Sequence, residues 1–197
     1  MSMYATIEKI ANENGGFFLT RDAKKVNISR ETLSRYVKTG KLERIRQGVY
    51  LLPEKYEDEM FSIQATIPCA VFSYDTALFL HDLSDRDPLR YTVTVPYGYN
   101  SLTLRKKNVR IRTDKRATHK DNVVEVTTMY GNKIRVYSIE RTLCDCLKPR
   151  SGIDPNIIAG AFKQYAKSQR TDLYKLMTYA KSVGVDKKVR SYLEVLL

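Results

Sequence analysis

The sequence predicts an α+β protein. Apolar residues recur at helical spacing near both ends of the chain, strand-like alternation fills much of the stretch between them, and 43% of the 197 residues are hydrophobic, enough to build cores. That composition excludes disorder and collagen-like or coiled-coil chains, and the length suits one domain or two small ones. Lys and Arg number 34 against 22 Asp and Glu, a net charge of +12 that points to phosphate polymers or anionic surfaces as partners.

From the N-terminus, Tyr4 to Asn14 places Ile7, Ile10 and Ala11 on one helical face, and Gly15-Gly16 stops that helix. Phe17 to Leu19 is a short apolar run of β character, and Thr20 offers a hydroxyl cap to a short second helix ending at Val26. Asn27 tolerates the left-handed conformation of a tight turn, Ile28 is an apolar anchor, and Ser29 caps a third helix that Gly40 ends. From Lys41 to Leu52 apolar residues recur in a strand-like pattern, with Gln47-Gly48 as a hairpin turn and Pro53 closing the unit.

Residues 54 to 60 are the one acidic run, and the expected domain boundary falls there, giving domains 1–55 and 56–197. The second begins with a helix running to Pro68, and Ser73 is expected to cap Tyr74 to His81. Strands are expected at 91–96, 109–113, 123–129 and 133–137, forming a small, mainly antiparallel sheet, with Gly131-Asn132 as a two-residue turn between the last pair. Ser138 caps Ile139 to Leu147, and Asp154-Pro155 opens a helix with Ile158, Ala161, Phe162 and Tyr165 on one face. Thr171 is expected to cap the next helix, striped by Leu173, Leu176, Met177 and Ala180, and Val189, Tyr192, Leu193 and Leu196 stripe the last.

The most specific pattern lies between Thr20 and Lys38. A helix-turn-helix needs a small residue in its first helix, a residue tolerant of positive φ four positions on, an apolar anchor, and apolar residues five and eight beyond it. Ala23, Asn27, Ile28, Leu33 and Tyr36 fill those places. With Leu33, Tyr36 and Val37 facing inward, the other face of the third helix carries Arg30, Glu31, Ser34, Arg35 and Lys38, with Ser29 and Thr32 at its start. The hairpin that follows has the length of a wing, with Arg44, Arg46 and Gln47 near its tip, and Thr20 and Arg21 open the preceding helix. Residues 19 to 52 carry a net +6, so the reading is a winged helix-turn-helix bound to duplex DNA through these twelve residues. Three-helix units with a hairpin also serve as protein-interaction modules, and a basic helix can be only a solvated face.

A second basic cluster runs from Arg105 to Lys120 with a net +7, and Arg105, Lys106, Lys107, Arg110, Arg112, Lys115 and Arg116 are its candidate contacts. On a strand, Arg110 and Arg112 point to one face. The cluster is either a second nucleic-acid surface or dock for an acidic partner, or a solvated edge whose cations discourage aggregation.

Glu140, Arg141 and Asp145 read as a structural ion-pair network on one helix, and Tyr91, Tyr97 and Tyr99 as packing or base-stacking residues. Cys69, Cys144 and Cys146 fit neither a disulfide framework nor a zinc ribbon and read as reduced, mostly buried thiols. His81 and His119 stand far apart with no ligand spacing around them, so no metal and no cofactor is expected. No apolar run is long enough to span a membrane and the first 15 residues contain no apolar signal core, so a cytoplasmic protein without a membrane partner is expected. A restriction-type nuclease would put carboxylate-x-Lys on a core strand, but that spacing occurs only at Asp22-Ala-Lys24 and Asp186-Lys-Lys188, both in helical segments. No phosphate-binding loop or nucleophile elbow is present, and no enzymatic activity is expected.

The helix-turn-helix followed in order by "RIRQGVYLLP", "FSYDTALFLHDLSD", "YTVTVP" and "YSIERTLCDCL" resembles the AbiEi-type antitoxins of abortive-infection type IV toxin-antitoxin systems, over nearly the whole chain. The resemblance implies an N-terminal domain that represses its own operon and a C-terminal domain that neutralises a nucleotidyltransferase-type toxin. Operator contacts would then fall on Ser29 to Lys38 and Arg44 to Gln47, over promoter DNA that commonly carries inverted repeats. Two alternatives stay open: a plain winged-helix regulator with a ligand-sensing or oligomerising C-terminal domain, and a nucleic-acid-processing enzyme.

Overall fold

In the computed structural model, residues 2–99 and 109–196 are described. They fall into two compact units, Met1–Cys69 with Thr127–Ile134, and Ala70–Val126 with Arg135–Leu197.

The first unit begins with α1 (Met3–Glu13), whose N-cap Ser2 accepts a hydrogen bond from the Ala5 N–H. Then come β1 (Phe17–Leu19), α2 (Thr20–Lys25), α3 (Arg30–Lys38), β2 (Glu43–Arg46), β3 (Val49–Leu51) and α4 (Glu59–Thr66). The strands form an antiparallel sheet in the order β1-β3-β2. Side chains alternate across a strand. Phe18 and Tyr50 therefore join a core with Ile7, Ala11, Ala23, Ile28 and Leu33, while Phe17, Leu19, Val49 and Leu51 meet Phe61 and Ala65 of α4. Thr20 lies in the first turn of α2 rather than capping it, and Leu19 occupies the cap position without a side-chain bond. The reason is the wing: the Thr20 N–H donates to the Gly48 carbonyl at 2.9 Å, which fixes this backbone before a cap can form.

The rest of the chain contributes β4 (Val71–Phe72), α5 (Tyr74–Leu80), β5 (Tyr91–Pro96), β6 (Val109–Asp114), β7 (Val123–Thr127), β8 (Lys133–Tyr137) and four helices, with Thr127 of β7 and residues 133–134 of β8 grouped in the first unit. These are α6 (Ile139–Leu147), α7 (Pro155–Lys167), α8 (Leu173–Val183) and α9 (Asp186–Leu196). The sheet order is β6-β5-β4-β8-β7, and it is mixed rather than mainly antiparallel, because β4 runs parallel to β8 and β5 parallel to β6. Every residue of α6 is buried, and Leu143, Cys144 and Leu147 pack in one core with Leu78, Ile158, Phe162, Leu176 and Val189.

Ser138 and Asp154 cap α6 and α7 as the sequence leads one to expect. At α8 the cap is Asp172, not Thr171, whose hydroxyl instead donates to the Tyr165 carbonyl at 2.5 Å and the Ser168 carbonyl at 2.8 Å. Ser73 precedes α5 but makes no cap bond; its hydroxyl accepts from Thr94 at 2.8 Å. Between β7 and β8 the turn centres on Met129-Tyr130, with the Gly131 N–H donating to the Thr128 carbonyl at 2.9 Å. Gly131 then takes a φ of +82°, the glycine position of a three-residue hairpin loop rather than of a two-residue one.

Candidate nucleic-acid interface

The helix-turn-helix spacing is realised residue by residue. Ala23 is 1% exposed, Leu33 is fully buried, and Asn27 adopts a φ of +53° at the turn. The Ile28 N–H donates to the Ala23 carbonyl at 2.9 Å, which draws the two helices together. Ser29 caps α3 by accepting from the Thr32 N–H at 3.1 Å, and the two hydroxyls lie 3.1 Å apart, so Ser29 and Thr32 first serve the helix end. Arg30, Glu31, Ser34, Arg35 and Lys38 are exposed on the remaining face. Arg35 lies over the Tyr36 ring at 5.6 Å, and Lys41 covers the rings of Tyr4 at 5.0 Å and Tyr36 at 5.8 Å. This aromatic support at the C-terminal end of α3 restrains the stems of two cations.

The wing turns at Gln47-Gly48, where Gly48 takes a φ of +78°. A bulge between Arg44 and Arg46 separates two arginines with different fates. Arg44 and Gln47 are exposed. Arg46 is not: its side chain is 11% exposed, and its Nη2 lies 3.5 Å from Glu57 Oε1 and 3.3 Å from Glu59 Oε1. Arg21 is exposed at the start of α2, and Thr20 is half-buried beside the wing turn. Arg46, expected among the wing contacts, thus faces two carboxylates of the acidic run that follows Pro53, and that run is the signal in the sequence for them.

In the second basic cluster, Arg105, Lys106 and Lys107 lie outside the described residues. Arg110 and Arg112 share a face of β6 as period-two alternation requires, and both meet α5: Arg110 pairs with Asp75 at 3.4 Å, and Arg112 covers the Tyr74 ring at 5.1 Å. Arg112 also donates to the carbonyls of Arg150 and Ser151. Arg116 donates to the Tyr97 carbonyl at 3.4 Å, while Lys115 and Lys120 are exposed.

The segment after β6 is organised from beneath by Arg141. Its guanidinium is 1% exposed, donates to the Thr118 and Asp121 carbonyls at 2.7 and 2.6 Å, and pairs with Asp114 at 2.6 Å and Asp145 at 3.5 Å. Glu140 turns away to Lys175 at 3.1 Å. Burial by itself would raise the Asp114 pKa, but hydrogen bonds from the Lys115 N–H and Arg141, with the Arg141 charge, hold it below the ordinary carboxylate value. A cleft of about 940 Å³ opens here, lined by Lys115, Thr118, Asp121, Lys175 and Tyr179. Several of its charges are already matched internally, through Asp114 with Arg141 and Lys175 with Glu140.

Both histidines are buried and share Tyr137: His81 Nε2 lies 2.7 Å from its carbonyl, and its hydroxyl 3.0 Å from His119 Nδ1. Burial lowers the His81 pKa. Cys144 and Cys146 are buried, which pushes the Cys144 thiol up to about 12 and Cys146 well above its ordinary value. Among the described residues no group of His, Cys, Asp and Glu could hold a metal ion, and no helix is long and apolar enough to cross a membrane.

No curated protein matches the chain by sequence. Among solved structures the chain is similar to the RV2827C protein from Mycobacterium tuberculosis, with a TM-score of 0.58 over 98% of this chain and 82% of that one. At 11% identity this likeness speaks for the α+β fold alone. In the first unit, residues 6–53 match the family described as "Transcriptional regulator, AbiEi antitoxin". That match runs from within α1 through the wing, so the N-terminal region of the chain is similar to the AbiEi antitoxin family of transcriptional regulators.

Proposed function

We propose that the chain is the antitoxin of a bacterial type IV toxin-antitoxin system, that it represses its own operon by binding promoter DNA, and that it neutralises a nucleotidyltransferase-type toxin. In this reading it is a binding protein rather than an enzyme. The observation that carries it is a coincidence at α3: the family match covers the segment whose exposed face presents Arg30, Ser34, Arg35 and Lys38 on a helix capped by Ser29. An exposed arginine on such a helix is suited to bidentate contact with a guanine edge, a contact that contributes roughly 1–3 kcal/mol of discrimination. Arg44 and Gln47 on the wing supply phosphate contacts beside it. For the antitoxin half, the basic segment around Lys115 and Lys120 is the surface we assign to the toxin or to the nucleic acid that the toxin acts on.

The test has two arms. In a gel-shift titration on the DNA upstream of the gene, Arg35→Ala is expected to weaken binding by roughly 1–3 kcal/mol, and unchanged affinity would remove the recognition-helix assignment. In cells expressing a nucleotidyltransferase toxin encoded next to this gene, the full chain is expected to restore growth, and the Arg35→Ala protein to restore it equally. A chain that binds upstream DNA but gives no protection would instead be a plain regulator.

A further inference from the structure

We propose that Glu57 and Glu59 withhold Arg46 from DNA, so that these two carboxylates set how strongly the wing grips phosphate; the inference rests on reading residues 1–53 as the DNA-binding part.

A guanidinium fork fits carboxylate and phosphate oxygens in the same planar way, so the two compete for one arginine. At Arg46 the carboxylates hold the position, at 3.5 and 3.3 Å from Nη2, and the side chain is only 11% exposed. The Glu57 carboxylate is also held from a second side. Glu57 Oε1 also accepts from the Ser62 hydroxyl at 3.2 Å, and Glu59 stands in the first turn of α4, where the helix end favours a negative charge. Asp58 between them pins the segment: Oδ1 accepts from the Phe61 N–H at 3.0 Å, and Oδ2 accepts from Asn132 Nδ2 at 2.9 Å and the Thr128 hydroxyl at 2.5 Å. A phosphate reaching Arg46 must therefore displace two carboxylates, of which Glu57 is held by Ser62 as well. Arg44, across the bulge, is exposed, and no carboxylate among the described residues pairs with it. The wing thus holds one arginine for DNA and one in reserve.

Glutamine keeps the shape of glutamate and removes its charge, which makes Glu57→Gln with Glu59→Gln the direct probe. The full chain and this variant are titrated by fluorescence anisotropy against a labelled duplex spanning the DNA upstream of the gene, over a series of salt concentrations. The variant is expected to bind roughly three- to tenfold tighter, and its plot of log K against log salt to steepen by about 0.9, the signature of one more neutralised phosphate. In an Arg46→Ala background the same two substitutions change the net charge equally but release no cation, so a smaller gain with no steepening is expected. Equal gains and slopes in the two backgrounds would mean that overall charge alone is at work, and would overturn the proposal. So would unchanged affinity on the native background. A native chain that does not bind the duplex at any salt concentration would instead overturn the DNA-binding reading itself.

Discussion

The guanidinium of Arg141 lies 3.5 Å from the centre of the Tyr137 ring and reaches two carbonyls and two carboxylates while almost wholly buried. A charge in that position is tolerable only because each of its faces is satisfied. Arg141→Ala is expected to destabilise the protein by about 3–5 kcal/mol, because it strands Asp114 and two carbonyls, and urea unfolding monitored by circular dichroism would measure it. Acid offers an independent check. The folded-state pKa of Asp114 is depressed, so its contribution is present above the unfolded carboxylate value and is lost as pH falls through the folded one. Asp114→Asn should therefore flatten the acid arm of the stability curve below about pH 4. Local spacing reveals the Arg141–Asp145 pair, one helical turn apart, but partners 20 to 27 residues away at Thr118, Asp121 and Asp114 leave no trace in it.

Elements built on short-range rules were the most legible. The turn at Asn27, the anchor Ile28 and the Ser29 cap lie within a few residues of one another, so their spacing in the sequence is already their geometry. Strand sense was hidden for the opposite reason. Phe72 of β4 pairs with Val136 of β8, a partner brought in by everything folded between them. The β7–β8 loop shows the same contrast, since Gly131-Asn132 has the residues of a two-residue turn, whereas Asn132 is buried and bonded to Asp58. Gly15 makes room for that asparagine: at a φ of +62°, an added Cβ would fall 1.9 Å from Asn132 Oδ1. Gly15→Ala is expected to cost roughly 1–3 kcal/mol, seen as a lower thermal midpoint. Gly131→Ala, where φ is also positive but no atom lies within 4 Å, should cost about 1 kcal/mol from backbone conformation alone. Equal losses at the two sites would deny the Asn132 contact a role in stability.

For the whole molecule, net charge is a poor count of available cations. Of the 34 Lys and Arg, Arg46 and Arg110 face carboxylates, while Arg112 and Arg116 face carbonyls. DNA binding through the first unit should then follow the exposed cations of α2, α3 and the wing. If about six phosphates are neutralised, log K should fall against log salt with a slope near −5, measurable by filter binding or anisotropy. A flat response would remove the electrostatic part of the assignment. The division into two units carries a different consequence, for the order of synthesis. Neither unit is one continuous run of chain, because Thr127–Ile134 is grouped with Met1–Cys69. A ribosome completes the first 69 residues long before Thr128 and Asn132 exist. Until then the buried Asp58 carboxylate keeps its bond to the start of α4 and waits for two of its three donors. The first unit can reach its final hydrogen bonding only after Asn132 has been synthesised.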